Sequence, residues 1–239
     1  MSLGKSALAV TADSPSVARY ELEAARKVAR EIGIEHIIVR TTELENPDYA
    51  RNLLDRCYYC KKELFLRLKR IAEDRRIRVI VDGTNADDLV SGHRPGAVAE
   101  VEEGIRRPLA ELGISKAEVR SLSRSLNLSA ADKPAEACLS SRIAYGEAVT
   151  LNALTRIERA ESVVRDLTGV KQIRVRQHGE LARIEVGRDE RRRVLDERCL
   201  DEIDSRLKAL GFKYVTFELG GYVSGSMNES IPRDANDCP

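Results

Sequence analysis

The residues best suited to chemistry in this sequence are two cysteines three positions apart, in the segment Cys57-Tyr-Tyr-Cys60. Two thiols at this spacing can bind one metal ion or form one disulfide. Zinc would need a second pair of ligands, which is lacking. A redox pair would lie at the start of a helix, where the thiolate is stabilised. Two buried, inert cysteines are the remaining interpretation.

A third cysteine, Cys138, lies in residues 132–142, a segment with neither helical nor strand periodicity. Three cysteines fit an iron–sulfur cluster with one open iron. Cys199 falls in a predicted charged helix and Cys238 in a polar tail, and neither suggests a role. The chain has five cysteines, an odd number that argues against a secreted disulfide scaffold and favours the reducing cytoplasm.

Polar residues follow two predicted buried strands. Thr11-Ala-Asp13-Ser14 comes after a strand at 6–10, and Asp82-Gly-Thr-Asn-Ala-Asp-Asp88 after one at 78–82. Ligands of parallel α/β sheets bind beyond the carboxyl ends of the strands. Gly83 permits close backbone approach, Thr84 offers a hydroxyl, and Asp87 with its neighbour can hold Mg²⁺ beside nucleotide phosphates. Ordinary strand-to-helix turns are the alternative interpretation.

Arg174 and Arg176 are two residues apart in a predicted strand, so both project from one face of it. Adjacent guanidinium groups repel each other unless an anion lies between them, and phosphate or carboxylate is the natural partner. The alternative is a solvated strand face on which the arginines pair with Glu180 or Glu185.

The hydrophobic pattern predicts an α/β protein in two parts. Strands alternate with helices in the first part, as in βαβ units of a parallel sheet. Ser14 is the predicted N-cap of its first helix, Gly33 the stop, and Ser115 with Glu118 forms a capping box. The second part has the order α-β-β-α-β. The predicted strands are 6–10, 36–40, 78–82, 105–109, 172–176, 181–186 and 213–219, and the helices are 15–32, 58–73, 115–126, 151–167 and 188–210. Domains are expected at 1–146 and 147–230, with a tail at 231–239.

Composition narrows the partners. The 239 residues carry a net charge of +1 and no Trp, so neither the overall charge nor the aromatic content favours binding to nucleic acid. No apolar run reaches the length of a membrane span, and the N-terminus does not resemble a secretory signal. We therefore expect a cytoplasmic protein with a small-molecule substrate.

Taken together, these segments resemble the LarE family of ATP-dependent sulfur transferases, within the PP-loop ATP pyrophosphatases. The resemblance runs from Ala7 to about Glu229. It rests on Ala9-Val-Thr-Ala-Asp-Ser14, Asp55-Arg-Cys-Tyr-Tyr-Cys-Lys61, Asp82-Gly-Thr-Asn-Ala-Asp-Asp88, Arg94-Pro-Gly96, Lys133-Pro-Ala-Glu-Ala-Cys-Leu-Ser-Ser-Arg142, Arg174-Val-Arg176, Leu181-Ala-Arg-Ile-Glu-Val186 and Gly221-Tyr-Val-Ser-Gly-Ser-Met-Asn-Glu229.

The resemblance implies a chemistry. ATP adenylates a carboxylate of a pyridinium dicarboxylate mononucleotide and releases pyrophosphate; sulfur then displaces AMP, on the way to the nickel-pincer cofactor of lactate racemase. In one branch the cysteine at the position of Cys138 gives up its sulfur, and in the other three cysteines hold a [4Fe-4S] cluster that delivers sulfide. Cys57, Cys60 and Cys138 place this sequence with the cluster branch. Both routes need Cys138, so the sulfur donor stays open.

The resemblance also implies site roles and an assembly. Arg174 and Arg176 would bind the substrate phosphate, and Glu161 would match a family glutamate in the preceding helix. The nucleotide with Mg²⁺ would contact Thr11, Asp13, Ser14, Gly83, Thr84 and Asp87. The fold would be Rossmann-like, of the adenine nucleotide alpha hydrolase type, with a smaller α+β C-terminal domain, and the protein would form a homo-oligomer.

One feature of the family is not found in these residues, namely a first strand with a Ser-Gly-Gly-Val-Asp-Ser loop that cradles pyrophosphate. We therefore expect a truncated sequence, with two unpaired edges in its sheet. Two alternative functions stay open. One is a different PP-loop enzyme, acting in tRNA thiolation or amidation. The other is a catalytically inactive remnant that binds a nucleotide or a metal.

Overall fold

The computed structural model describes residues 3–90, 94–134 and 136–227. The predicted tail at 231–239, with Cys238, lies outside the described residues. Contacts within the chain divide it into two compact units. Unit 1 comprises the residues up to Tyr49 together with Leu54–Lys133, and unit 2 comprises Ala50–Leu53 together with the residues from Pro134 onwards.

Unit 1 is a mixed α/β structure. Strands β1 and β2 pair in parallel, with Val10 opposite Ile37. Helix α1 crosses between them and ends at Gly33, whose φ of +72° suits glycine, as predicted. Ser115 and Glu118 form the predicted capping box. The elements are β1 (Leu8–Asp13), α1 (Arg19–Ile32), β2 (Glu35–Arg40), α2 (Pro47–Ala50, at the junction with unit 2), α3 (Arg56–Asp74), α4 (Ala86–Val90), α5 (Pro95–Glu102), α6 (Pro108–Glu111) and α7 (Lys116–Ser125).

The start of α1 differs from the prediction. The helix begins at Arg19 rather than at residue 15, and its N-cap is Ala18 rather than Ser14. The Ser14 hydroxyl instead accepts a hydrogen bond from the backbone N–H of Ser16 at 2.9 Å, which holds a local turn. Thr11 and Asp13 belong to β1 itself, so the loop after this strand begins only at Ser14.

The predicted strands at 78–82 and 105–109 are both wrong. Among the described residues, the two segments share only a single parallel bridge, between Val81 and Arg106. An isolated bridge does not form a ladder. Among the described strands, β1 pairs with β2 alone, and an apolar cavity of about 270 Å³ lies between β1 and residues 77–81. Val79 and Val81 are consequently more than half exposed.

Unit 2 has the predicted order α-β-β-α-β. Strands β3 and β4 form the predicted antiparallel hairpin, and β5 adds in parallel to β4. Helices α8 and α9 supply the apolar residues that pack with Ile173 and Val175 of β3 in one core. The elements are α8 (Leu151–Thr168), β3 (Ile173–His178), β4 (Leu181–Val186), α9 (Glu197–Ala209) and β5 (Tyr214–Phe217).

The predicted helix at 188–210 is two pieces. A short 3₁₀ turn covers Arg191–Arg193, and α9 begins only at Glu197. The side chain of Asp196 accepts a hydrogen bond from the backbone N–H of Cys199, so Asp196 caps a new helix instead of continuing an old one. Across the residues that the structure describes, no helix combines the length and the apolar character that a membrane crossing requires.

Replacement of Leu207 by alanine tests the core of unit 2. Leu207 is fully buried on α9, so we expect the free energy of unfolding to fall by about 2–5 kcal/mol. Leu200→Ala on the same helix is the control, because Leu200 is 39% exposed and should cost about 1 kcal/mol or less. Urea denaturation measures both. Equal losses would contradict this account of the core.

Candidate functional site

The predicted nucleotide residues at the end of β1 contact other residues of unit 1. The Thr11 hydroxyl lies 2.9 Å from Nε2 of His36, and Asp13 forms an ion pair with Arg19. The Ser14 side chain is buried and donates a short hydrogen bond to the buried carboxylate of Glu43. Ser14 therefore acts as a structural anchor of this turn.

The segment after residue 82 is also held by its own hydrogen bonds. Oδ1 of Asp82 accepts the N–H of Thr84 at 2.9 Å, which makes an Asx turn around Gly83. Oδ2 of Asp87 accepts the N–H of Lys116 at 2.8 Å, at the start of α7. Asp88 exchanges hydrogen bonds with Asn85 at the start of α4. The carboxylates of this segment thus stabilise helix ends.

Lys61 links this segment to two helices. Its Nζ lies 3.0 Å from Oδ2 of Asp82 and 3.2 Å from Oε1 of Glu100 on α5. Burial lowers the pKa of Lys61, but the two carboxylates outweigh burial and the pKa lies above its usual value. Burial likewise raises the pKa of Asp82, yet the Thr84 N–H and Lys61 hold it below its usual value.

The cysteines are divided between the units. Cys57 and Cys60 lie in the first turns of α3, with Cys57 exposed and Cys60 half-buried, and Cys138 is a half-buried free thiol in unit 2. Residues three apart on a helix are neighbours, so the first two can serve one ligand. Within the described residues no three His, Cys, Asp or Glu side chains converge to hold a metal ion.

Two buried charged side chains lie beside the backbone of Cys138 in unit 2. The guanidinium of Arg142 donates from Nε to Oε1 of Glu161 on α8 at 3.0 Å and from Nη1 to the Cys138 carbonyl at 2.8 Å. Arg142 and Glu161 are each 1% exposed. Burial lowers the pKa of Arg142, but Glu161 and its other neighbours raise it above its usual value. Arg142 thus ties the loop that carries Cys138 to α8.

Glu161 is more than a partner of Arg142. Its Oε1 also accepts the backbone N–H of Val175 at 3.1 Å, so Glu161 connects α8 to β3 as well. Its Oε2 is buried and has no hydrogen-bond partner within the described residues. A buried carboxylate oxygen without a donor is costly, so this atom is suited to accept a hydrogen bond from a ligand.

Arg174 and Arg176 extend the charge cluster along β3. Nη1 of Arg174 lies 2.9 Å from Oε2 of Glu136, and its guanidinium stacks 5.1 Å from the ring centroid of Tyr222. Nη2 of Arg176 lies 3.0 Å from Oε2 of Glu185, and its Nη1 donates to the Ser141 carbonyl at 3.0 Å. Pairing of an arginine with Glu185 is the contact that the alternative interpretation named, but both arginines are buried rather than solvated.

The structure thus connects three predicted site residues through two that the sequence did not single out. Cys138, Glu161 and Arg174 are linked by Arg142 and Glu136. Arg176 contacts the neighbouring Ser141 carbonyl and Glu185 instead. Both linking residues flank Cys138 in a segment without periodicity, and clustered charge in such a segment is the signal that could have found them. The remaining predictions, Thr11, Asp13, Ser14, Gly83, Thr84 and Asp87, all lie in unit 1.

Comparison with known proteins gives relatives along nearly the whole chain. No family model matches. The chain is 45% identical over 231 residues to an uncharacterized protein of Synechocystis sp., covering 97% of this chain and 85% of the relative. It is 34% identical over 226 residues to the pyridinium-3,5-bisthiocarboxylic acid mononucleotide synthase of Lactiplantibacillus plantarum, covering 94% of this chain and 80% of that protein. An uncharacterized protein of Methanocaldococcus jannaschii is 31% identical over 218 residues, covering 91% of this chain and 81% of the relative.

Replacement of Lys61 by methionine removes the charge between Asp82 and Glu100. We expect the free energy of unfolding to fall by about 1–3 kcal/mol, less than for a fully buried pair because Lys61 is partly exposed. Lys208→Met is the control: it removes an exposed ion pair in which Nζ lies 2.8 Å from Oδ2 of Asp204. This substitution should change the free energy of unfolding by less than about 0.5 kcal/mol. Urea unfolding at neutral pH compares the two.

The pH dependence has a definite sign. Because the folded pKa of Asp82 is lowered, its contribution to stability is present above the unfolded pKa near 3.8 and is lost as pH falls through the folded value. Acidification should therefore destabilise the wild type more than Lys61→Met. The same acid sensitivity in both proteins would count against this ion pair.

Proposed function

The chain belongs to the LarE family, represented by the Lactiplantibacillus plantarum synthase, and we propose that it is an ATP-dependent sulfur transferase. Its proposed substrate is a pyridinium dicarboxylate mononucleotide, and its proposed product a thiocarboxylate precursor of the nickel-pincer cofactor. The proposal extends to a homo-oligomer with a Rossmann-like nucleotide-binding domain of the adenine nucleotide alpha hydrolase type.

The observation that carries the proposal is the position of Cys138 beside buried arginines. Arg142 binds its carbonyl oxygen, and Arg174 and Arg176 lie in the same charge cluster. The guanidinium groups of Arg142, Arg174 and Arg176 are buried and are oriented by the carboxylates of Glu136, Glu161 and Glu185. Buried guanidinium groups that are already oriented suit an anionic ligand such as a phosphate.

The proposed reaction has two stages. A substrate carboxylate oxygen attacks the α-phosphorus of ATP, pyrophosphate leaves, and an acyl adenylate forms. A sulfur nucleophile then attacks the acyl carbon and AMP leaves. Adenylation is needed because oxide is a poor leaving group, whereas AMP is a good one. Mg²⁺ would arrive with the ATP phosphates, since it is commonly bound by them together with one or two carboxylates.

Each unit has a proposed part. Thr11, Asp13, Gly83 and Thr84 are the proposed nucleotide contacts of unit 1. Ser14 and Asp87 are proposed contacts as well, although each also makes a hydrogen bond within the protein. In unit 2, Arg174 and Arg176 would bind the substrate phosphate. Glu161 would accept a hydrogen bond from the substrate through its Oε2, which has no partner among the described residues.

Cys138 is the proposed donor of the sulfur atom in one of the two routes. If Cys138 attacks, its Sγ forms a thioester as AMP leaves. Loss of the Cα proton to a base and rupture of the Cβ–Sγ bond then leave the thiocarboxylate and a dehydroalanine. No step of this route uses a cluster.

Cys138→Ser tests the route directly. We expect ATP and substrate to yield pyrophosphate with both proteins, because adenylation precedes sulfur attack, but thiocarboxylate only with the wild type. Mass spectrometry of the small molecules detects the exchange of oxygen for sulfur. Cys199→Ser is the matched control, since Cys199 is a half-buried thiol of α9 outside the charge cluster. Thiocarboxylate formation by the Cys138 variant would contradict the proposal.

Iron analysis distinguishes the two sulfur sources that the family resemblance allows. The three-cysteine set predicts about four iron atoms and four acid-labile sulfides per chain after anaerobic reconstitution, lost in Cys57→Ala. Absence of iron from both proteins would reject the cluster and leave Cys138 itself as the donor. In that case the chain should lose the mass of hydrogen sulfide after turnover.

A further inference from the structure

Glu136 bridges two buried arginines of the Cys138 site. Its Oε2 lies 2.9 Å from Nη1 of Arg174 and 3.3 Å from Nη2 of Arg142. These two guanidinium groups come from different parts of unit 2, one from the 3₁₀ turn after Cys138 and the other from β3. A single carboxylate oxygen therefore occupies the position in which an anion would contact both.

The two arginines are held in place without Glu136. Arg142 also contacts Glu161 and the Cys138 carbonyl, and Arg174 donates to the carbonyl of Ile173 at 2.6 Å and stacks on Tyr222. Both are only 1% exposed, whereas the Glu136 side chain is 10% exposed. Glu136 is therefore the part of this contact nearest to solvent.

We propose that Glu136 is an internal competitor for the phosphate of the substrate: its carboxylate contacts Arg174, a proposed phosphate ligand, as well as Arg142, and leaves both when the phosphate binds Arg174. This inference rests on the proposed function, in which the substrate is a mononucleotide. It assigns Glu136 a role in specificity, because only a ligand group that binds the two arginines better than a carboxylate can enter.

Charge explains why a phosphate would displace it. Glu136 contributes one negative charge to this buried contact, and its departure removes that charge from beside two guanidinium groups. A phosphate monoester carries nearly two negative charges at neutral pH and several acceptor oxygens, so it can satisfy both arginines. A carboxylate carries a single charge and is the weaker occupant.

Displacement of the Glu136 side chain would disturb no helix or strand, since the described residues 134 and 136–138 belong to neither. Arg142 holds the carbonyl oxygens of Ala137 and Cys138, so the proposal requires only the side chain of Glu136 to move. Glu185 offers the contrast. It is 1% exposed, lies within β4 and contacts Arg176 and Arg183 from there, which fits a fixed structural partner.

Glu136→Gln tests the competitor role, because glutamine keeps the shape and loses the charge. The probe is nicotinic acid mononucleotide, a pyridinium carboxylate with a phosphate, and titration calorimetry measures its affinity. We expect the dissociation constant to fall by about tenfold or more in the variant. Glu180→Gln removes an equal charge from an exposed pair with Lys213 and should bind like the wild type.

A second ligand tests whether the gain in affinity depends on the phosphate, and a second variant guards against misfolding. Nicotinic acid riboside, which lacks the phosphate, should bind the variant and the wild type alike; an equal gain for the riboside would overturn the assignment to phosphate. Should Glu136→Gln fail to fold, Glu136→Asp replaces it. Aspartate keeps the charge but is too short to reach both arginines, so we expect a smaller gain.

The outcomes separate this inference from the proposed function. Mononucleotide binding that is equal or weaker in Glu136→Gln than in the wild type overturns the competitor role and leaves the function standing. If no protein binds the mononucleotide but Glu136→Gln binds inorganic phosphate more tightly than the wild type, the competitor role stands and the proposed substrate is wrong. If no protein binds either probe, both are wrong.

Discussion

The ion pair between Arg142 and Glu161 is the contact on which the rest of the Cys138 site depends. Its two side chains are almost completely buried, and each makes a second kind of contact. Arg142 holds the carbonyl of Cys138, and Glu161 holds the backbone N–H of Val175. Through this one pair the cysteine loop, helix α8 and strand β3 keep a common geometry. Removal of either partner would leave the other charged and buried, which costs several kcal/mol.

A buried charge cluster of this kind is a poor source of stability. Desolvation of each ion offsets much of the attraction between them. Apolar residues in place of the charged ones would stabilise unit 2 equally well. The hydrophobic core of unit 2, which includes Ile173, Val175 and Leu207, is built in that way. The guanidinium groups of the cluster are held by carboxylates and carbonyls, and this fixed orientation would favour the proposed anionic ligand.

In unit 1, too, charged side chains of the loops are held by partners within the protein. Asp82, Asp87 and Asp88 are used to close turns and begin helices, and Lys61 neutralises Asp82 and Glu100. A nucleotide that contacts this segment would therefore meet a preformed backbone rather than mobile side chains. The space into which a Cβ at Gly83 would point is open, with no heavy atom of the other described residues within 4 Å.

Family membership and most elements were predictable from the sequence, because motif order and hydrophobic period are properties of neighbouring residues. The hairpin of β3 and β4, the glycine stop of α1 and the capping box of α7 are confirmed. The strand at 78–82 was wrong, because an apolar run becomes a strand only where another strand pairs with it. The break before α9 was missed, because the cap at Asp196 competes with helical periodicity.

The sequence by itself determined which residue types are present and which of them share a strand face, as with Arg174 and Arg176. It did not determine their partners. Glu136, Arg142, Glu161 and Arg174 lie up to 38 positions apart, and only the packing of α8 against β3 brings them together. Side-chain periodicity acts over a few residues, whereas burial and ion pairing depend on which surfaces meet. For that reason the tertiary structure alone decided that Arg174 and Arg176, which the sequence allowed on a solvated strand face, are buried and paired with Glu136 and Glu185.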